Sequence, residues 1–264
     1  MKKILLLLFT IALTPIYAQF IFQREINLTK PVDHWFVDPV GNIYILEGNK
    51  VSKLDSLGKL TYSQAIKSQG EINQLVFNSA QKIISFSEEQ QQICIFDNTI
   101  TPISACISLD DFGISNATCI ASSSRANAVW LYDRVNSTLF QLDTDKKVIN
   151  RQLRNIAGLV GFSGNTTYLK EDNEQLWISD GKSSFAFDLN LNYLEKIELP
   201  LSSTAFISKD TFFEFREDVF FVMNLSSKEQ GIGENPVPNA ENISLSNGYF
   251  FFKNGNKLFV YRLA

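Results

Sequence analysis

The single histidine of the chain, His34, limits the catalytic chemistry that the sequence can support. One imidazole excludes a zinc site built from several histidines and any mechanism that needs two imidazoles. A serine triad needs only one histidine, but Gly161-Phe162-Ser163-Gly164-Asn165 departs from the G-x-S-x-G nucleophile elbow, because Asn165 stands in place of the second glycine. We therefore interpret His34 as an ordinary residue at the entry to a strand and predict no catalytic residue.

Acidic residues form short groups whose oxygen atoms are of the kind that calcium prefers. None of the groups has the spacing of an EF-hand loop, and each falls at a predicted turn, where Asp and Asn are common for conformational reasons. We expect no metal ion and no other cofactor at these positions. The groups are Asp110-Asp111, Asp143-Thr144-Asp145 and Glu171-Asp172-Asn173-Glu174.

The three cysteines, Cys94, Cys106 and Cys119, allow at most one disulfide within the chain. Cys94 and Cys106 fall on adjacent strands of one predicted hairpin. A turn at Asn98-Thr99 would place Cys94 nearer to Ile103 than to Cys106. We expect buried free thiols and keep a disulfide as the alternative.

The start of the chain has the three regions of a secretory signal peptide. Met1-Lys2-Lys3 is basic, Ile4 to Ile16 is apolar, and Tyr17-Ala18-Gln19 provides the cleavage region. The apolar run is shorter than the roughly 20 residues of a membrane-spanning helix, so an uncleaved anchor is the less favoured alternative. We predict a signal peptide of bacterial type over residues 1–18 that is cleaved after Ala18. Residues 19–264 then form one domain, exported to the periplasm or outside the cell.

The segment Trp35 to Ser63 is a complete unit of four short strands joined by three turns. Asp38-Pro39-Val40-Gly41 has the residues of a tight turn, and Gly48-Asn49 and Ser56-Leu57-Gly58 give the other two. The stretches between the turns are rich in β-branched and aromatic residues, as strands are. Four antiparallel strands this short and closely spaced match one blade of a β-propeller.

The motif F-x-D-x-x-G-N-I-Y-I-L, followed by K-x-D-x-x-G, resembles the blade motif of NHL-type and gluconolactonase-like six-bladed propellers. It is carried here by Phe36, Asp38, Gly41 to Leu46, Lys53, Asp55 and Gly58. The resemblance implies the fold. Gluconolactonase-like propellers hold a metal in the central channel, but no position of this sequence matches those ligands, so no functional residue is carried over.

Degraded copies of the unit follow along the chain, and the ends of their third strands recur at intervals of about 36 to 46 residues. The fifth copy has a weak outer strand that dissolves into a predicted surface loop over residues 231–238. The sixth copy stops after three strands, and Phe20 to Leu28 supplies the fourth. We predict an all-β, six-bladed β-propeller of four-stranded antiparallel blades, closed by the N-terminal strand joining the last blade. The recurring positions are Asp55, Asp97, Asp143, Asp188, Asn224 and Tyr261.

The charge and the aromatic residues indicate the class of partner. A net charge of −4 with scattered basic residues argues against nucleic acid, since Lys146, Lys147, Arg151 and Arg154 form the densest positive group. The phenylalanine-rich strands over 211–222 and 249–252 fit packing between blades, with a surface patch for a partner as the alternative.

We predict an exported, non-catalytic interaction or scaffold module of the bacterial cell envelope. It is expected to be a monomer that binds another envelope protein, with no nucleic acid and no stable membrane insertion. The alternatives are a calcium-dependent lactonase-like hydrolase at the central channel and a sugar- or peptide-binding module. The hydrolase predicts acidic and amide side chains converging from the inner strands. A binding module predicts an exposed aromatic or apolar patch at one end of the ring.

Overall fold

The computed structural model describes residues 19–29, 32, 34–79, 81–166 and 168–264. Within these residues the strands form six separate four-stranded antiparallel sheets, each one blade of a ring. The chain is a six-bladed β-propeller, as the repeat predicts. The predicted signal peptide, residues 1–18, lies outside the described residues.

Each blade is built from four strands in succession, apart from blade 6, which takes its fourth strand from the N-terminus. The chain opens with β1 (Phe20–Asn27). Blade 1 contains β2 (His34–Val37), β3 (Ile43–Glu47), β4 (Lys50–Leu54) and β5 (Leu60–Ala65). Blade 2 contains β6 (Gln74–Ser79), β7 (Lys82–Ser87), β8 (Gln92–Asp97) and β9 (Ile107–Ser108), and a short 3-10 helix, Asp110–Phe112, follows it. Blade 3 contains β10 (Ala117–Ser122), β11 (Ala128–Asp133), β12 (Thr138–Asp143) and β13 (Val148–Leu153), followed by α1 (Ile156–Val160). Blade 4 contains β14 (Tyr168–Asp172), β15 (Gln175–Ser179), β16 (Ser184–Asp188) and β17 (Tyr193–Ile197). Blade 5 contains β18 (Ala205–Ser208), β19 (Thr211–Phe215), β20 (Val219–Asn224) and β21 (Gln230–Glu234). Blade 6 contains β22 (Asn242–Ser246), β23 (Tyr249–Asn254) and β24 (Lys257–Leu263), with β1 as its outer strand.

The N-terminal strand closes the ring, which confirms the prediction made from the strand count. β1 pairs antiparallel with β24, from Phe20 opposite Leu263 to Asn27 opposite Lys257. The pairing continues past the strand, because the Ala264 N–H donates to the Gln19 carbonyl at 2.9 Å. Blade 6 therefore gains a complete fourth strand, and the edge of β24 is covered.

The recurring Asp and Asn positions cap the turns that leave the third strands. Asp97 Oδ1 accepts hydrogen bonds from the Thr99 and Thr101 N–H groups at 2.8 and 2.9 Å. Asp188 Oδ1 likewise accepts from the Asn190 and Asn192 N–H groups, both at 2.8 Å. A short acceptor side chain at this position holds the next backbone N–H groups in a tight turn. The recurrence is thus explained by turn conformation.

These turn hydrogen bonds predict how stability changes in acid. The Thr101 N–H and the Thr99 hydroxyl lower the pKa of Asp97, and the Asn192 side chain and N–H lower the pKa of Asp188. A carboxyl whose pKa is lower in the folded protein stabilises the fold fully above its unfolded pKa of about 3.9 and loses that effect as the pH falls through the folded pKa. We expect the free energy of unfolding of Asp188→Asn to fall less steeply than wild type below about pH 4.

Urea unfolding at a series of pH values measures this slope. Asp110→Asn is the control, because no hydrogen bond to the Asp110 carboxylate is found within the described part of the chain. Equal slopes for the wild type and Asp188→Asn would contradict the prediction.

The core lies between the blades, where the flat faces of neighbouring sheets pack together. The largest group of aromatic contacts joins blades 5 and 6, and it includes phenylalanines of both phenylalanine-rich segments, 211–222 and 249–252. Phe220 and Phe252 are completely buried. The prediction of packing between blades is therefore confirmed for this pair of strands. The alternative of a surface aromatic patch at these phenylalanines is wrong.

Lys53 of the blade motif links blade 1 to blade 2. Its side chain is buried, and Nζ donates to the Asn98 carbonyl at 2.9 Å. The ammonium also lies 5.5 Å from the centre of the Tyr44 ring and 5.9 Å from that of Tyr62. A buried ammonium needs such partners, because its transfer from water is costly.

One strand prediction needs correction. The segment predicted as a loop over residues 231–238 is not wholly a loop, because Gln230–Glu234 pairs with β20 as the fourth strand of blade 5. The outer strand of blade 2 is short: it consists of Ile107–Ser108, and one isolated bridge between Phe96 and Pro102 precedes it.

The expectation of free thiols is wrong for two of the three cysteines. Cys94 and Cys106 form a disulfide, with their Cα atoms 4.3 Å apart, and Cys119 is free and buried. The pairing of β8 places Phe96 opposite Pro102 but Ile93 opposite Ile107. The connecting segment thus contains two extra residues, which bring Cys106 opposite Cys94.

Breaking this disulfide is expected to lower the free energy of unfolding by about 2–3 kcal/mol, the usual effect of a cross-link that closes a short loop. Urea unfolding of Cys106→Ala against wild type measures the loss. A thiol titration provides the control, because the denatured protein should show one thiol before reduction and three after it. Three reactive thiols in the denatured protein without reductant would contradict the prediction.

The free cysteine, Cys119, should behave differently in the native protein. Burial raises the pKa of Cys119 to about 12, so this thiol should resist alkylation in the native protein at pH 8.

Candidate functional site

A cavity of about 830 Å³ forms the central channel of the ring. The first strand of each blade or the segment beside it contributes to the wall, from blade 1 to blade 6. Rigid inner strands therefore fix the position of every side chain that faces the channel. This arrangement makes the channel the first candidate for a binding or catalytic site.

The channel wall carries both apolar side chains and side chains with hydroxyl or amide groups. Blades 1 and 2 supply much of the apolar lining, and blades 5 and 6 supply residues of both kinds. The apolar lining includes Trp35, Phe36, Leu75, Phe77, Phe206 and Leu245. The polar lining includes Ser122, Ser202, Ser203, Asn242, Ser244 and Asn247. No aspartate or glutamate is found in the lining among the described residues.

Lys170 is the charged side chain among the described residues of the channel wall. Its Nζ donates to the Ile207 carbonyl at 2.7 Å and lies 3.0 Å from Asp172 Oδ2. Burial alone would lower the pKa of Lys170, but Tyr168 and the Asp172 carboxylate outweigh burial and raise it. The ammonium therefore remains protonated at neutral pH. It links blade 4 to blade 5 and is unsuited to act as a general base.

The residues considered for triad chemistry lie apart. His34 is exposed at the start of β2 in blade 1. Ser163 follows α1 between blades 3 and 4, where its N–H donates to Asp180 Oδ2 at 3.2 Å. A nucleophile and its base must lie within hydrogen-bonding distance of each other, and these two residues belong to different parts of the ring.

The acidic segments hold turns and blade contacts. Asp143 Oδ1 accepts from the N–H groups of Asp145 and Lys146 at 3.1 and 2.9 Å. Glu171 connects blades 4 and 3, because its Oε2 accepts from the Trp130 indole N–H at 2.5 Å. Within the described ranges, no three His, Cys, Asp or Glu side chains are grouped in a way that suits a metal ion.

Exposed apolar side chains concentrate at one end of the ring. This end carries the turns between the first and second strands and between the third and fourth strands of each blade. Of the fourteen large apolar side chains that are exposed in the described part of the chain, nine lie at these turns or at the adjoining starts of fourth strands. We call these nine the apolar end: Ile21, Phe22, Val40, Leu57, Leu60, Ile103, Val148, Tyr193 and Leu194.

The opposite end, with the turns between second and third strands and the connections between blades, is less apolar. It carries three of the fourteen, Val135, Leu159 and Val219. Single exposed apolar residues are normal on a protein surface, but concentration at one face indicates an interaction site. The sequence contained a signal for it, because Val40 and Leu57 are apolar at turn positions where polar residues are expected.

The densest part of the apolar end lies where the ring closes, at blades 6 and 1. Leu57 is 76% exposed and Val40 57% exposed, and both are in turns of blade 1. Ile21 and Phe22 are 50% and 53% exposed at the start of the closing strand. The turns of blade 1 are close to each other, because a Cβ atom at Gly41 would lie 4.0 Å from Ser56 Cβ.

No family model and no curated protein matches the chain. Solved structures of other proteins do share its architecture. The WD40 domain of Pan2 from Neurospora crassa has a TM-score of 0.62 at 10% sequence identity, covering 88% of this chain and 89% of that chain. Virginiamycin B lyase from Staphylococcus aureus has a TM-score of 0.60 at 14% identity, covering 93% of this chain and 100% of that chain. The BBS1N chain solved in complex with ARL6DN has a TM-score of 0.59 at 12% identity, covering 94% of this chain and 98% of that chain.

At these identities the likeness establishes the fold alone, since propellers host many unrelated functions. Within the described residues, no helix is both long enough and apolar enough to cross a membrane.

Proposed function

We propose that this protein is an exported, non-catalytic interaction module of the bacterial cell envelope, which binds another envelope protein through its apolar end. The observation that carries the proposal is the concentration of exposed apolar side chains at that end. The signal peptide predicted over residues 1–18 supports export. A structural neighbour, BBS1N, was solved in complex with a protein partner, ARL6DN.

A protein partner fits the chemistry and layout of the apolar end. Large apolar side chains at turns from several blades offer a broad surface, and specific protein interfaces bury about 800 Å² on each partner. The side chains are presented by turns whose conformation is fixed by Asp caps, such as Asp38 with the Val40 and Asn42 N–H groups at 3.0 and 2.9 Å. A surface held in place before binding loses less conformational entropy on association.

The channel favours binding over catalysis. Among the described residues that line it, the charged group is Lys170, which is held by Asp172 and the Ile207 carbonyl, and the others are neutral. A lactonase-like hydrolase would be supported by a tightly bound metal ion with acidic ligands. That outcome is built into the experiment below.

The test is quantitative affinity capture from envelope extract of the native cells, using the chain from Gln19 onward, with and without a calcium chelator. The bait variant Val40→Glu/Leu57→Glu places two charges on the apolar end. The matched control, Val135→Glu/Leu159→Glu, places the same charges on the opposite end. We expect a near-stoichiometric protein partner that survives chelation, with at least about tenfold less capture by the first variant only, because an unpaired charge at an apolar interface is costly.

Equal loss in both variants would overturn the assignment of the apolar end. A tightly bound metal removed by the chelator, with no protein partner, would overturn the proposed function in favour of the hydrolase. Circular dichroism of both variants establishes that they are folded.

A further inference from the structure

A second cavity, of about 390 Å³, lies at the outer part of blade 3, beside the connection from blade 2. It takes side chains from the turn before β12, from β12 itself, from the end of β13 and from the short helix that follows blade 2. The residues that define its chemistry are Phe112, Asn136, Phe140, Gln152, Arg154 and Asn155. The turn and the connection after β13 both belong to the end of the ring opposite to the apolar end.

Two phenylalanines give this cavity an apolar surface. Phe140 is buried and lies directly opposite Gln152 in the pairing of β12 with β13. Phe112 is partly exposed, and it packs against the hydrophobic core between blades 2 and 3. A phenyl ring fixed at one side of a cavity offers a flat apolar face to a ligand.

Arg154 gives the cavity an uncompensated positive charge. It is exposed, and among the described residues it has neither a hydrogen bond nor an ion pair. Arg151 on β13, the strand that ends just before Arg154, differs, because its guanidinium donates to Gln141 and Asn190, each at 3.0 Å. No carboxylate lines the cavity in the described residues. A free guanidinium is suited to bidentate binding of a carboxylate.

The amides of the cavity retain donors and acceptors for hydroxyl groups. Asn155 Oδ1 accepts from the Gly158 N–H at 3.1 Å, which leaves its NH₂ group to donate. Asn136 Nδ2 donates to Asp133 Oδ2 at 2.8 Å, which leaves its Oδ1 to accept. The Gln152 amide has no hydrogen bond within the described chain. Together these groups provide both senses of hydrogen bond beside an apolar ring.

We propose that this cavity binds a sugar that carries a carboxylate, of the uronic acid class. The carboxylate pairs with Arg154, the hydroxyl groups bond to Gln152, Asn155 and Asn136, and the C–H face of the ring lies against Phe112. The volume is within the range of small-molecule sites. The site lies at the end opposite to the proposed protein interface, so it adds to the proposed function and does not depend on it.

Isothermal titration calorimetry with glucuronate and galacturonate tests the proposal, with glucose and acetate as probes for the hydroxyl groups alone and the carboxylate alone. We expect a uronate to bind saturably and at least about tenfold more tightly than either control probe. Arg154→Gln should weaken uronate binding by at least about tenfold, because a charge-assisted bidentate pair is lost. Gln152→Ala, which leaves the charge in place, should weaken it less.

The matched control is Arg262→Gln, an exposed arginine of blade 6 whose loss changes the net charge equally. It should leave uronate binding unchanged. Glucose binding as tight as that of the uronates would overturn the role of Arg154, and so would equal weakening by Arg154→Gln and Arg262→Gln. Absence of saturable uronate binding by the folded wild type would overturn the site itself. None of these outcomes bears on capture of a protein by the apolar end.

Discussion

Replacing Phe20 by alanine is expected to lower the free energy of unfolding by about 3 kcal/mol, the lower part of the range for phenylalanine-to-alanine changes, since this side chain is only partly buried. Phe20 begins the closing strand, and its ring contacts several aromatic rings of blades 5 and 6. The distances between ring centres are 4.9 Å to Phe220, 5.1 Å to Phe250, 5.7 Å to Phe252, 5.9 Å to Phe215 and 6.1 Å to Tyr261. Removal of Phe20 leaves this cluster without its centre.

Equilibrium urea unfolding measures the effect, and Phe22→Ala is the matched control on the same strand. Phe22 is 53% exposed, and among the described residues it has one ring contact, to Tyr261 at 5.4 Å. Its loss should cost less than about 1 kcal/mol, as is usual for exposed positions. Similar losses for the two variants would mean that β1 closes the ring through backbone pairing and not through the Phe20 cluster.

Gly58→Ala is expected to destabilise the protein by about 3 kcal/mol, at the place where the closing strand packs against blade 1. Gly58 has a φ of +86°, and a Cβ atom there would overlap with Cγ2 of Ile26 on the closing strand. The positive φ contributes about 1 kcal/mol, and forcing an extra carbon against a buried side chain contributes about 1–3 kcal/mol. Ile26 is buried, so it has little room to move.

Gly48→Ala separates the two contributions, because Gly48 also has a positive φ, +60°, but no atom lies within 4 Å of the position of its Cβ. This variant should lose about 1 kcal/mol in thermal or urea unfolding. If Gly58→Ala loses no more than Gly48→Ala, blade 1 and the closing strand are less closely packed than the structure indicates.

The features that were predictable from the sequence are those encoded by nearby residues. Asp38-Pro39-Val40-Gly41 predicts its turn because the chemistry of each residue fixes the local backbone, and Asp38 indeed caps that turn. Counting strands then required a partner for the third strand of blade 6, which identified Phe20 to Leu28. Both inferences depend on local pattern and on the need to cover a sheet edge.

The errors arose where tertiary structure overrides local preference. Gln230–Glu234 contains Gly231 and Gly233, which weaken a strand signal, yet β20 supplies the hydrogen-bonding partner for it. The Cys94–Cys106 disulfide depends on two extra residues in a loop, and a regular hairpin does not predict such an irregularity. The apolar end combines side chains from several blades, and the cavity of blade 3 adds Phe112 from the preceding connection, so neither surface is contained in one strand or turn of the sequence.

Closure by the first and last strands also determines the order of folding events. β1 must wait for β24, although all the strands of five complete blades lie between them in the chain. The loop that this pairing closes is nearly as long as the domain, and contacts so distant in sequence form slowly. Until Leu263 has emerged from the ribosome, blade 6 has no complete third strand for β1 to pair with. The ring therefore stays open through synthesis, with the aromatic surface around Phe20 uncovered and vulnerable to aggregation, and a holding chaperone would be most useful in that interval.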